Sequence, residues 1–148
     1  METEIILYKK KPRKSRKVRI SKLTGEPIIS HQKAHRELWK AFSLFIRQRD
    51  KMCVQWETGA CQGHLTAGHV IPRGKKAVRY AEDNVFGQCG FHNKLHHYQP
   101  YIYNAWYVKT YGADKFTELV RRSLVPTKDL STSEAQRLTK YYQEKLGA

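Results

Sequence analysis

The chain has 148 residues, 40% of them hydrophobic, and its 28 Lys and Arg outnumber 13 Asp and Glu to give a formal charge of +15. That length holds one domain with a modest core, and that charge points to a polyanionic partner, nucleic acid before an anionic membrane surface. No apolar run approaches the ~20 residues of a membrane span, the N-terminus lacks the pattern of a secretory signal, and an odd cysteine count argues against a disulfide scaffold and for thiolates on metal in a reducing cytoplasm.

Residues 1–29 form a basic arm. Lys9, Lys10, Lys11, Arg13, Lys14, Arg16, Lys17 and Arg19 follow one another with no acid among them. Such a block repels itself until it meets phosphate, which makes it a candidate backbone-binding segment. Thr24-Gly25-Glu26-Pro27 is expected to turn and end it. Residues 30–148 then form the remaining domain, expected to be zinc-containing.

Ser30 can cap a helix over residues 31–49. Leu38, Trp39, Phe42, Phe45 and Ile46 recur at three- and four-residue spacings, the pattern of a face turned to the core. His31 and His35, one turn apart and with no third ligand near, are expected to be an exposed polar pair.

The segment from Cys53 to His97 carries all three cysteines and five of the seven histidines. Cys53 and Cys61 stand on one side of it, Cys89 and His92 on the other, about thirty residues apart. Two such pairs suit one tetrahedral zinc with the segment between them held as a hairpin. The spacing from Cys53 to Cys61 is longer than the usual knuckle, so His64 is an alternative donor. A strand is expected over 65–71, a turn at Pro72-Arg73-Gly74, and a return strand from Val85 into Cys89. A helix from about His92 would put Asn93 and His97 on one face. Arg73, Lys75, Lys76 and Arg79 place cations beside His69 and are candidate phosphate contacts. Three helices follow: Tyr101 to Tyr111, closed by Gly112; Asp114 to Leu124, with Phe116, Leu119 and Val120 inward; and one opened by the capping box of Ser131 and Glu134.

Phosphodiester hydrolysis needs a base to activate water and a cation to stabilise developing negative charge. His69 suits the base, and Asn93 with His97 could hold Mg²⁺ or Mn²⁺. Asn84, at the end of the loop, could hydrogen-bond backbone across it and hold His69 in place.

His69, Asn84 and Asn93, in that order, resemble the HNH (His-Me finger, ββα-metal) endonucleases in an H-N-N variant. A-G-H (67–69), R-Y-A-E-D-N (79–84), Q-C (88–89) and H-N (92–93) look more closely like the phage NinG/Rap recombination nucleases, over about residues 36–147. The resemblance implies an α+β fold, a small zinc-stabilised ββα-metal core with flanking N- and C-terminal helices. It implies one structural zinc, His69 as general base, Asn84 as the orienting residue and Asn93 as ligand to a catalytic Mg²⁺ or similar ion. It also implies cleavage of branched DNA such as Holliday junctions or D-loops inside a phage-infected bacterium, and a homodimer making paired cuts. The sequence departs from that pattern at Gly68, where an acidic or His metal ligand is common, at the late Cys61, at His92 in place of Cys, and at His96-His97. A non-catalytic zinc-stabilised DNA- or RNA-binding module is the competing reading, with a basic RNA-associated structural protein as a third.

Overall fold

The computed structural model describes residues 19–22, 25 and 28–147. The cations from Lys9 to Lys17 lie outside the described residues, as do Thr24, Glu26 and Pro27 of the expected turn. Arg19 is described and exposed, and its carbonyl accepts from Ile28 N at 2.7 Å.

Among the described residues the architecture is mixed α and β, with a two-stranded sheet and five α-helices. Helix α1 spans His31–Asp50, with Lys33 N donating to the Ser30 cap. Strands β1 (Leu65–His69) and β2 (Val85–Cys89) pair antiparallel, Leu65 opposite Cys89 and His69 opposite Val85. Helices α2 (Gly90–Tyr98), α3 (Pro100–Tyr111), α4 (Ala113–Ser123) and α5 (Thr132–Gly147) follow. The capping box of α5 is present in both directions: Ser131 N donates to Glu134 Oε2 at 2.7 Å, and Glu134 N to Ser131 Oγ at 3.3 Å. β1 is shorter than the expected 65–71, because beyond His69 the backbone pairs with Asn84 instead of a strand. α2 begins two residues earlier than expected, with Cys89 as its N-cap.

Strand β2 is buried along its whole length because its two faces serve two cores. Val85 joins Leu38, Phe42, Ile46, Ala135 and Tyr142 between α1 and α5. Phe86, pointing the other way, joins Val70, Val78, Tyr103, Tyr107 and Leu119 against α3 and α4. Of the α3 aromatics, Tyr103 and Tyr107 are core, Trp106 is half-buried and Tyr101 and Tyr111 are exposed, while Val120 and Phe116 are only half-buried.

The end of α1 is bolted to β2 by polar contacts. Arg49 donates to the carbonyls of Glu82 and Val85 at 2.9 Å each, and Asp50 Oδ2 accepts from Gly87 N at 2.6 Å. Of the expected exposed pair, His31 is exposed, while His35 is corrected by the fold. Both rings reach Leu130 O, at 3.0 and 2.9 Å, and His35 is half-buried beside the Tyr80 hydroxyl. They tie α1 to the segment leading into α5.

Candidate metal centre and the adjoining histidine cavity

Two features of the local backbone assemble the four zinc-type donors. A 3-10 turn at Trp56–Thr58 ends on Gly59 with φ +74°, a left-handed conformation that glycine adopts at little cost, and Gly63 repeats this at +76°. The chain thereby folds back so that Gly90 N donates to His64 O and Phe91 N to Gln62 O, both at 3.1 Å. Cys61 is brought against Cys53, Cys89 and His92, whose ligand atoms all lie within 4.8 Å of one another. All three cysteines are free thiols.

The donor set fits zinc. His92 Nδ1 lies 3.4, 3.6 and 3.2 Å from the sulfurs of Cys53, Cys61 and Cys89, close to the ~3.6 Å edges of a tetrahedron built from ordinary Zn–S and Zn–N bonds. The tautomer is also right. Thr58 Oγ1 gives its one proton to Gln55 O at 2.9 Å, so at 2.7 Å from His92 Nε2 it accepts. Nε2 then carries the proton, and the lone pair of Nδ1 faces the sulfurs. Thr58 is a partner that the sequence alone did not point to, although a hydroxyl immediately before the turn glycine is the kind of signal that could have found it. His64 is not part of this group, which corrects its reading as an alternative ligand.

Across the hairpin, β1 and α2 present a second arrangement. His69, Asn93, His96 and His97 line a cavity of about 410 Å³ together with Trp39, Ala67 and Arg73. His69 Nε2 lies 2.9 Å from Arg79 O. A carbonyl only accepts, so Nε2 is protonated and Nδ1 is the free base. Burial pushes the His69 pKa down from 6.5 to about 4, and the charges of Arg73, Arg79 and His96 push the same way against the Arg79 carbonyl. The imidazole is therefore neutral at physiological pH. Trp39, read from sequence as core, stacks on His69 with centroids 5.3 Å apart. His96 also lines the cavity beside the expected His97, and it too went unrecognised.

Asn84 is fully buried and bonded at both ends of its amide. Oδ1 accepts from Ile71 N at 2.7 Å, and Nδ2 donates to Ile71 O at 3.1 Å and Val78 O at 2.9 Å. It closes the loop between the strands, as far as a side chain can, and so fixes the backbone that carries His69. Asn93 and His97, one helical turn apart, offer an amide oxygen and an imidazole, donors that suit a divalent cation retaining several waters.

The four loop cations differ in what they touch. Lys75 is exposed, and Arg73 lies over the Trp39 ring at 4.6 Å. Arg79 turns inward, donating to Asp129 at 2.9 Å and to Arg73 O at 3.0 Å, and Lys76 stands 4.0 Å from Asp129. No helix among the described residues is long and apolar enough to cross a membrane.

The family model described as Bacteriophage Lambda NinG protein matches residues 5–148. No curated protein and no solved structure matches the chain.

Proposed function

The chain belongs to the bacteriophage lambda NinG family, and from that premise we propose that it is a metal-dependent DNA endonuclease of the HNH (His-Me finger) type, in the H-N-N variant, acting on branched recombination intermediates in the cytoplasm of an infected bacterium. The observation that carries this reading is the state of His69: a neutral imidazole, its Nε2 held by the Arg79 carbonyl, its Nδ1 free, in the same cavity as Asn93 and His97.

On this reading His69 Nδ1 removes a proton from water, whose oxygen attacks the phosphorus. One ester P–O bond breaks, and the departing alkoxide takes a proton from solvent. Asn93 and His97 would hold Mg²⁺ or Mn²⁺, which stabilises the charge gathering on the phosphoryl oxygens and the leaving group. Asn84 keeps the loop, and with it the Arg79 carbonyl, in register with His69. The zinc donors clasp β2 and α2 so that the helix faces β1. Arg73 and Lys75 reach phosphate most readily, because Arg79 is already occupied by Asp129. Two copies arranged about a two-fold axis would make the paired cuts that a junction requires.

The test is Mg²⁺- or Mn²⁺-dependent cleavage of a labelled four-way junction and a matched linear duplex by wild type and His69→Ala. Cleavage of the junction by wild type alone is expected. DNA binding by both proteins without cleavage by either would favour the binding module instead.

A further inference from the structure

Gly68 immediately precedes His69, and its side of β1 is crowded. A Cβ at this position would lie 1.9 Å from Gln88 Oε1, 2.8 Å from Gln88 Cδ and 3.1 Å from Asn93 Oδ1. The Gln88 amide thus fills the space that any side chain at residue 68 would need. Gln88 is fully buried and donates through Nε2 to Oε1 of Gln55, itself buried, at 2.8 Å. Its own Oε1 has no partner among the described residues. A buried amide oxygen left without a donor is unfavourable, because it has given up water and gained no hydrogen bond in return.

The Asn93 amide faces the same side of Gly68, its Oδ1 3.1 Å from that Cβ position, and is the side chain placed to supply that donor. The oxygen and nitrogen of an Asn amide have nearly the same shape, and a half-turn about the last side-chain bond replaces Oδ1 by Nδ2. We infer that the buried Gln55–Gln88 pair orients Asn93: Nδ2 donates to Gln88 Oε1, and Oδ1 is turned into the cavity shared with His69 and His97. The reverse arrangement, Gln88 Nε2 donating to Asn93 Oδ1, requires both glutamine amides to turn and consumes the only amide oxygen that α2 offers to the cavity. Gln88 is then a positioning residue. Gly68 is not a lost ligand but a requirement, since a larger residue would displace the amide that aims Asn93. The purpose of this device rests on the nuclease reading; its geometry does not.

Two readouts on the zinc-loaded full chain separate these layers. In ¹⁵N-labelled wild type, the Asn93 side-chain amide protons should exchange with solvent about tenfold more slowly than those of exposed Gln32, and Gln88→Met should abolish that protection. In Mn²⁺ titrations followed by electron paramagnetic resonance, Gln88→Met should weaken binding about tenfold with zinc still at one per chain. Asn93→Ala should weaken it as well, and the double variant should lose less than the two single losses combined. Gly68→Ala should reproduce the loss of protection, which keeps the test sound if Gln88→Met fails to fold. Free exchange of the Asn93 amide in wild type, protection of the Gln88 amide in its place, or strictly additive losses would overturn the inference. Protection that depends on Gln88 in a protein that binds no Mn²⁺ would uphold the orientation and remove the nuclease reading.

Discussion

Trp39 lies face to face with His69, ring centroids 5.3 Å apart and planes inclined by 15°. The Arg73 guanidinium covers Trp39 at 4.6 Å. A residue of α1, a residue of β1 and a residue of the loop from β1 to β2 therefore form one stack along the wall of the cavity. The indole excludes water from one face of the imidazole. Desolvation is the main reason that His69 stays neutral, with Arg73 and Arg79 as the charged groups facing it and His96, when protonated, acting the same way.

Trp39→Ala should therefore change the pH dependence of the protein that remains folded. On the proposed role of His69, the acid limb of kcat/KM in wild type falls near the His69 pKa of about 4, and opening one face to water should move it upward toward the ordinary value of about 6.5. Trp39→Phe, which keeps a ring in the stack, should restore most of the wild-type profile. An acid limb at the same pH in all three proteins would show that the stack does not set the basicity of His69.

The same shift is a stability statement. The unfolded chain binds a proton at His69 near pH 6.5 and the folded chain only near 4, so stability is fully present above 6.5 and is lost as pH falls toward 4. The loss reaches about 3 kcal/mol across that window. Urea unfolding at pH 7.5 and 5 should thus show a larger drop for wild type than for His69→Gln. Equal drops would place the acid sensitivity elsewhere, with the half-buried His96, whose pKa burial also lowers, as the next candidate.

The zinc donors depend on Thr58 for their tautomer. Thr58→Val keeps the shape of the side chain and removes the oxygen that accepts from His92 Nε2. Zinc affinity in a competition titration with a chelator should fall about 10- to 100-fold. Thr58→Ser should bind like wild type. Cys89→Ser, by contrast, should lose the zinc outright and the fold with it, because structural-site binding energy is folding energy.

Local rules carried most of what was legible in the sequence. The apolar spacing of α1, the Ser30 cap, the Ser131–Glu134 box and the glycine after Tyr111 each involve neighbours within a few residues. The paired spacing of Cys53, Cys61, Cys89 and His92 was legible for a related reason, since few other arrangements bring three thiols to one place. Contacts between residues far apart in sequence were not. Trp39 fits the core stripe of α1 by periodicity, and only the arrival of β1 makes it a wall for His69. The Gln55–Gln88 pair joins residues 33 positions apart, with nothing in either local sequence to announce it. Arg49 closes the helix expected over residues 31–49, and only the placement of β2 makes it and Asp50 an anchor for that strand.

Asn84 invites a direct test of loop closure. Asn84→Ala leaves Ile71 N, Ile71 O and Val78 O without their side-chain partner, two or three buried groups at about 1 kcal/mol each. Destabilisation by about 2–4 kcal/mol is expected in chemical denaturation, with zinc content unchanged at low denaturant. If the folded variant also cuts a junction as fast as wild type per folded molecule, the loop does not need Asn84 to position His69.

The basic arm is tested by salt. Lys9, Lys10, Lys11, Arg13, Lys14, Arg16 and Lys17 are seven of the chain's 28 Lys and Arg. Each phosphate that a cation neutralises releases condensed counterions and steepens the fall of affinity with salt by about 0.9 in the log–log slope on duplex DNA. Deleting residues 1–18 should therefore flatten that slope by up to about 6 if every one of these cations meets a phosphate, and by less in proportion if only some do. Arg73→Ala, in the full-length chain, should flatten it by about 1. Zinc content should not change in either variant, because the four donors begin at Cys53. A slope that survives the deletion would make the arm a solubilising tail and leave the loop cations, with the remaining Lys and Arg of the folded domain, as the source of DNA affinity.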